Sequence, residues 1–162
     1  MGKFGLEVEP TKTKALEFGR FAVQNAGRRG RRAETFDFLG FTHYCGTRRD
    51  GTGFRMKRVT ARKKFVAKVK IFKEWLKKAR ILKTGKLWAI AKAKLRGHYN
   101  YYGVTDNFRG IARFFEAVKR LLFKWLNRRE KRNCINWEKF NKMLKRFPLP
   151  KPRIRVSMFG TP

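Results

Sequence analysis

The side chains best suited to chemistry crowd into one run, LRGHYNYYGV, from Leu95 to Val104, which holds three tyrosines, a histidine and an arginine. Such rings stack on unpaired nucleobases, and a guanidinium binds phosphate or stacks on an aromatic face. The same rings can instead fill a core, provided each hydroxyl finds a partner. On a helix, Tyr99 and Tyr102 are three residues apart and point inward together. Arg96, His98 and Tyr101 are then expected nearer solvent, as candidate contacts to RNA.

Catalytic chemistry finds less support. Two-metal phosphoryl transfer needs clustered carboxylates holding ions about 4 Å apart. The nearest acidic pairs are Glu7 with Glu9 and Glu34 with Asp37. Strand alternation puts Glu7 and Glu9 on one face, but nothing else converges there, so both read as solvated. Asp37, flanked by aromatics, reads as the outward residue of a strand. The sequence has no GxxxxGK[ST] loop, no GxSxG elbow and no HExxH helix. Cys45 and Cys134 stand far apart, outside any CxxC pair, and His43 and His98 do not complete a zinc spacing. They read as reduced thiols of a cytosolic protein. No catalytic residue, metal ligand or cofactor is expected in this chain; magnesium would belong to a bound RNA or to a separate catalytic domain.

Charge is the dominant signal. The 162 residues carry 43 Lys+Arg against 11 Asp+Glu, a net charge of +32 and a pI near 11.4. A pI above about 9 with dispersed basic residues is the electrostatic footprint of nucleic-acid binding. After Gly51 the only acids are Glu74, Asp106, Glu116, Glu130 and Glu138, so few cations there can be neutralised within the chain. With 16 Phe and 4 Trp the chain also has the means to bury a core, unlike a disordered basic tail. No stretch is long or apolar enough to span a bilayer and no signal peptide is evident, so a membrane partner is not expected.

The elements that must position these residues follow from hydrophobic period. GLEVEP, Gly5 to Pro10, alternates like a short strand ending at a turn. KALEFGRFA reads as an extended apolar piece, and NAGRRGRRAE as a glycine-arginine loop. TFDFLGFTHY alternates on Phe36, Phe38 and Phe41; GTRRDGTG is a turn and FRMKRVT a return strand. A β-hairpin is therefore expected within Phe38 to Thr60.

The remainder is helical in rhythm. Phe65, Val69, Phe72, Leu76 and Ala79 form one apolar stripe, with Arg62, Lys63, Lys70 and Lys77 among the cations on the other faces. KTGK is expected to end this helix at Gly85. A second helix is expected from Lys86 to about Tyr101, with Leu87, Ile90, Ala91 and Leu95 inward. A third follows a cap at Thr105, Asp106 or Asn107 and runs to about Leu126; Arg128 and Arg129 beyond it extend the basic set. A fourth starts near Asn136, and PLPKPRIRV closes as an extended tail. The fold class expected is α+β: residues 1–60 with a short hairpin, and residues 61–162 as a mostly helical bundle.

FGLEVEPTKTKALEFGRFA, TFDFLGFTHY, LRGHYNYYGVTDN, FKWLNRREKRNCINWEKF and PLPKPRI, in this order over nearly the whole chain, together resemble the C-terminal part of a bacterial group II intron reverse transcriptase/maturase. The resemblance implies that Gly5 to Arg20 corresponds to the late palm, so that residues 1–60 are a palm remnant. It implies that Phe38, Leu39, Gly40 and Phe41 are a primer-grip-like turn, and that the run from Arg96 onward lies in the thumb, or maturase domain. The family's paired catalytic aspartates have no counterpart here and would lie upstream of Met1. The resemblance therefore implies an RNA-gripping, thumb-like part without a polymerase centre. The expected role is binding of group II intron RNA to assist its folding and splicing, in the cytoplasm, with DNA or an RNA–DNA duplex as further candidate partners. The alternative is one subunit of a split RNA-directed DNA polymerase, with another chain supplying fingers and palm.

Overall fold

A computed structural model describes residues 14–48, 50–79, 81–129 and 135–157. The strand expected over Gly5 to Pro10, the pair Glu7 and Glu9, and Cys134 lie outside the described residues. The fold is α+β. Helix α1 (Ala22–Arg28) precedes strands β1 (Thr35–Phe38), β2 (Phe41–Thr47) and β3 (Phe54–Thr60), which form an antiparallel sheet in the order β1-β2-β3. Helices α2 (Arg62–Ala79), α3 (Thr84–Tyr102), α4 (Phe108–Arg129) and α5 (Trp137–Arg146) follow. The chain divides into two compact units, Met1–Asp37 with His43–Lys57, and Phe38–Thr42 with Arg58–Pro162.

In the first unit, Phe18 packs edge-on against Phe36 at 5.1 Å and against Phe54 at 6.1 Å, and Phe36 stacks on His43 at 4.8 Å. Helix α1 corrects the expectation of an extended piece running into a loop. It has seven residues and buries only Ala22, so it offers no periodic stripe to read. Tertiary contacts hold it: Asn25 Nδ2 and Arg29 donate to the Glu17 carboxylate at 2.6 and 2.8 Å. The sheet also has one strand more than a single hairpin, because the alternating run TFDFLGFTHY folds back on itself at Leu39-Gly40.

In the second unit, α4 packs against both α2 and α3. Its Ile111 and Val118 are fully buried and Leu122 nearly so, among Phe72 and Leu76 of α2 and Ala91 and Leu95 of α3. Each such aliphatic or aromatic side chain contributes roughly 1.5–3 kcal/mol on burial. The stripe predicted for α2 is the one it turns inward, with Phe72, Leu76 and Ala79 buried and Phe65 and Val69 packed beside them. Gly85 does not end α2. The stripe gives out at Ala79, Lys83 is extended (φ −54°, ψ 141°), and Gly85 sits in the first turn of α3. Helix α5 starts near Asn136 as expected, and Asn136 caps it, its side chain accepting from Lys139 N–H at 2.8 Å.

The tail after α5 docks through its carbonyls. Trp88 Nε1 donates to Phe147 O at 2.9 Å, and Tyr99 Oη donates to Pro150 O at 3.1 Å. Prolines 148, 150 and 152 supply no N–H, which keeps this segment extended and leaves its carbonyls open to side-chain donors. Val156 in the tail forms a parallel bridge with Val104.

Candidate nucleic-acid interface

The second unit brings together two sequence motifs that lie about sixty residues apart, FLGF and HYNYYG. Phe38 ends β1 and Phe41 begins β2, leaving Leu39 and Gly40 as a two-residue loop with φ of +48° and +82°. Two consecutive positive φ values mark a type I′ hairpin turn, whose twist matches that of the flanking strands. Leucine rarely adopts this backbone, since its Cβ crowds the chain there. Hydrogen bonds to both loop carbonyls hold it: Tyr101 Oη donates to Leu39 O at 2.8 Å, and Ala61 N–H donates to Gly40 O at 3.0 Å. A Cβ on Gly40 would lie 3.1 Å from Tyr102 Oη, so glycine meets both the dihedral and the close approach.

The four FLGF residues have different roles. Phe41 is buried and lies 5.3 Å from the Tyr102 ring and 6.0 Å from Tyr101. Phe38 and Leu39 are 60% and 67% exposed, so the turn presents apolar surface outward. Tyr101 is 53% exposed and stacks nearly parallel to Phe41. It also meets Tyr102 edge-to-face at 4.8 Å, while its hydroxyl braces the turn.

Tyr99 and Tyr102 are buried, as their spacing predicts. Burial pushes the Tyr99 phenol well above its ordinary pKa; it also raises that of Tyr102, with a smaller contribution from neighbouring Tyr101. His98 corrects the expectation of a solvent-facing contact. Only 8% of it is exposed, and its ring stacks on Phe114 of α4 at 3.7 Å and tilts against Tyr102 at 4.7 Å. The helix turns His98 toward α4 rather than outward, because it lies three residues after Leu95 and four before Tyr102 on one inward stripe. Burial, and secondarily the charge of Lys68, lower its pKa from 6.5 to about 4, which keeps the ring neutral near pH 7. Arg96 is exposed on α3, as expected.

Asn107 is a positioning residue that the sequence suggests only as one of three possible caps. It is fully buried. Its Nδ2 donates to Tyr102 O and to Thr60 Oγ1, each at 2.8 Å, and its Oδ1 accepts from Thr60 N–H at 2.8 Å. One side chain thus ties the end of β3 to the end of α3 at the start of α4. Gly103 allows the tail to pass: a Cβ there would lie 2.7 Å from Arg153 O.

Helix α2 carries the charge. Arg62, Lys63, Lys64, Lys68, Lys70, Lys73, Lys77 and Lys78 are all exposed, with Glu74 as the helix's one acid. Lys63, Lys70 and Lys77 repeat every seven residues, which places them about 10 Å apart along the axis on the row opposite the buried stripe. Lys77 reaches Glu74 at 3.3 Å, but both side chains are about half exposed and such a pair is worth little. Arg128 is exposed on α4 with its guanidinium 5.1 Å from the Trp125 ring centroid. Arg129 ends α4, and its side chain lies outside the described residues.

Chemically, the arrangement offers rows of cations and partly exposed aromatic rings. Among the described residues, no three His, Cys, Asp or Glu side chains cluster as a metal site, and no helix is long and apolar enough to cross a membrane. Compared with protein-family models, curated proteins and solved structures, the chain matches none of them.

Proposed function

We propose that this chain binds structured RNA of the group II intron kind and assists its folding and splicing, as the thumb of a maturase would, without performing the chemistry itself. The observation that carries the reading is the outer row of α2, where Lys63, Lys70 and Lys77 stand at regular intervals on a helix with one acid. Cations spaced near the Debye length of about 8–10 Å repel one another only weakly in the free protein, because salt screens most of their field. A phosphate backbone relieves that repulsion and releases its own counterions. Arg62 and Arg128 widen the charged surface, and Arg96 with the half-exposed Tyr101 adds groups that contact phosphate or stack. Backbone contacts of this kind position an RNA, and intron specificity then rests on its shape. The cytoplasm is the proposed location.

The test is a titration of intron RNA with the purified chain across salt concentrations, in excess non-cognate RNA. Each phosphate neutralised should steepen the log–log slope by about 0.7–0.9. A slope near zero, or affinity abolished by non-cognate RNA, overturns specific phosphate gripping. The outward apolar surface of Phe38 and Leu39 favours a second reading, in which the turn meets another chain supplying the fingers and palm of a split polymerase. Co-purification with such a chain would select that reading.

A further inference from the structure

We infer that an apolar groove along α4, facing the segment that leaves α5, receives an unpaired nucleobase of the bound RNA. This rests on the RNA-binding reading above and names a site within it. The groove has a volume of about 430 Å³, inside the range of roughly 300–1,000 Å³ usual for ligand clefts. Phe108, Phe115, Leu144 and Leu149 give it an apolar wall. Phe108, the first residue of α4, is 52% exposed there.

The charged groups of the groove narrow the choice of ligand. Lys119 and Lys151 line it with a single acid, Glu116, and Glu116 is already engaged by Lys119 at 3.4 Å. The ligand must therefore present a flat apolar face to Phe108 and negative charge to Lys151. A nucleotide in a bulge or loop has both. A fully paired duplex has the charge, but its ring faces are occupied by stacking. An uncharged apolar peptide would fill the wall and leave Lys151 uncompensated. The groove lies on the α4 row running from Phe108 through Phe115 to Lys119 and is lined by no α2 residue, so it reads local structure where α2 holds the backbone.

The experiment uses the full chain and two RNA hairpins of matched sequence, one fully paired and one with a single bulged 2-aminopurine. Wild type should bind both, favour the bulged hairpin and quench its fluorescence. Phe108→Ala should lose about tenfold in affinity for the bulged hairpin, the order of one base–aromatic stack, along with most of the quench. Its affinity for the paired hairpin should not change. Phe108→Trp should restore both losses, showing that the alanine variant fails for want of a ring and not of a fold. Equal affinity and quench in wild type and Phe108→Ala overturn the inference, as does an equal loss on both hairpins. Wild type that binds both hairpins without preference or quench overturns the base site alone. Wild type that binds neither overturns RNA binding and the groove with it. An acidic amphipathic peptide that binds wild type, weakens with Phe108→Ala and leaves the bulge signal untouched would assign the groove to a protein partner instead.

Discussion

The outer row of α2 and the inward face of α3 belong to the same unit, and both are rich in hydrogen-bonding side chains. On α2 the donors are ammonium and guanidinium groups, and they face solvent. On α3 they are two phenols, an indole and an imidazole, and they are buried. The difference follows from composition. A buried cation needs a carboxylate close by, and a chain with 43 basic and 11 acidic residues has few to give. A neutral donor needs only one carbonyl. Trp88, Tyr99 and Asn107 each find one, on Phe147, Pro150 and Tyr102. The interior of this basic protein is therefore specified by neutral polar groups that require no counter-charge, and no Lys or Arg among the described residues is buried.

Removing a ring from the α3 side should have the largest effect on stability. Tyr99→Ala should cost about 3–5 kcal/mol, as for other large buried aromatics, and also free the tail carbonyl of Pro150. Tyr99→Phe should cost only about 1 kcal/mol, the net worth of one hydrogen bond. Denaturant titrations measure both. A Tyr99→Ala cost within 1 kcal/mol would place the ring outside the core.

The next largest effect should appear with pH. The His98 pKa is lowered to about 4, so between 6.5 and 4 the unfolded chain binds the extra proton. The stabilisation is complete above about pH 6.5 and is lost as the pH falls toward 4, by at most about 3 kcal/mol. Glu34 and Asp50 lie below their ordinary values, through hydrogen bonds from Lys14 and Thr52, so what they contribute is lost only at more acid pH. His98→Phe should keep the stack on Phe114 and flatten melting temperature between pH 6.5 and 4. An unchanged slope in that variant would mean that another group titrates there.

The smallest effect on stability should come from the α2 side. The triple variant Lys63→Gln, Lys70→Gln, Lys77→Gln should leave unfolding free energy within roughly ±0.5 kcal/mol per site, as surface substitutions generally do. Under the proposed function, the same variant should lower the salt slope of RNA binding by about 2, three phosphate contacts at roughly 0.7 each. A large loss of stability would erase the contrast between the two regions. An unchanged slope would move the RNA surface off α2.

Much of this organisation was legible in the sequence because it is periodic. The α2 stripe, the hairpin of β2 and β3, the start of α5 near Asn136 and the inward pair Tyr99 and Tyr102 all follow from spacing and residue type. Helix α1 was not legible, since it is short and held by the distant carboxylate of Glu17. The expected exposure of His98 failed for a related reason: a polar residue type was given more weight than a helical position that faces α4.

Sequence alone determined the charge, the amphipathic helices and the scarcity of clustered carboxylates, because each is a property of composition or of neighbours a few residues apart. Tertiary structure alone decided that FLGF meets HYNYYG, with Tyr101 bracing a leucine at positive φ and Asn107 joining three elements at one point. The bonds from Tyr101 to Leu39 and from Asn107 to Thr60 link residues 62 and 47 positions apart, so no local period encodes them. They form only when burial of the α2, α3 and α4 stripes brings the backbone together.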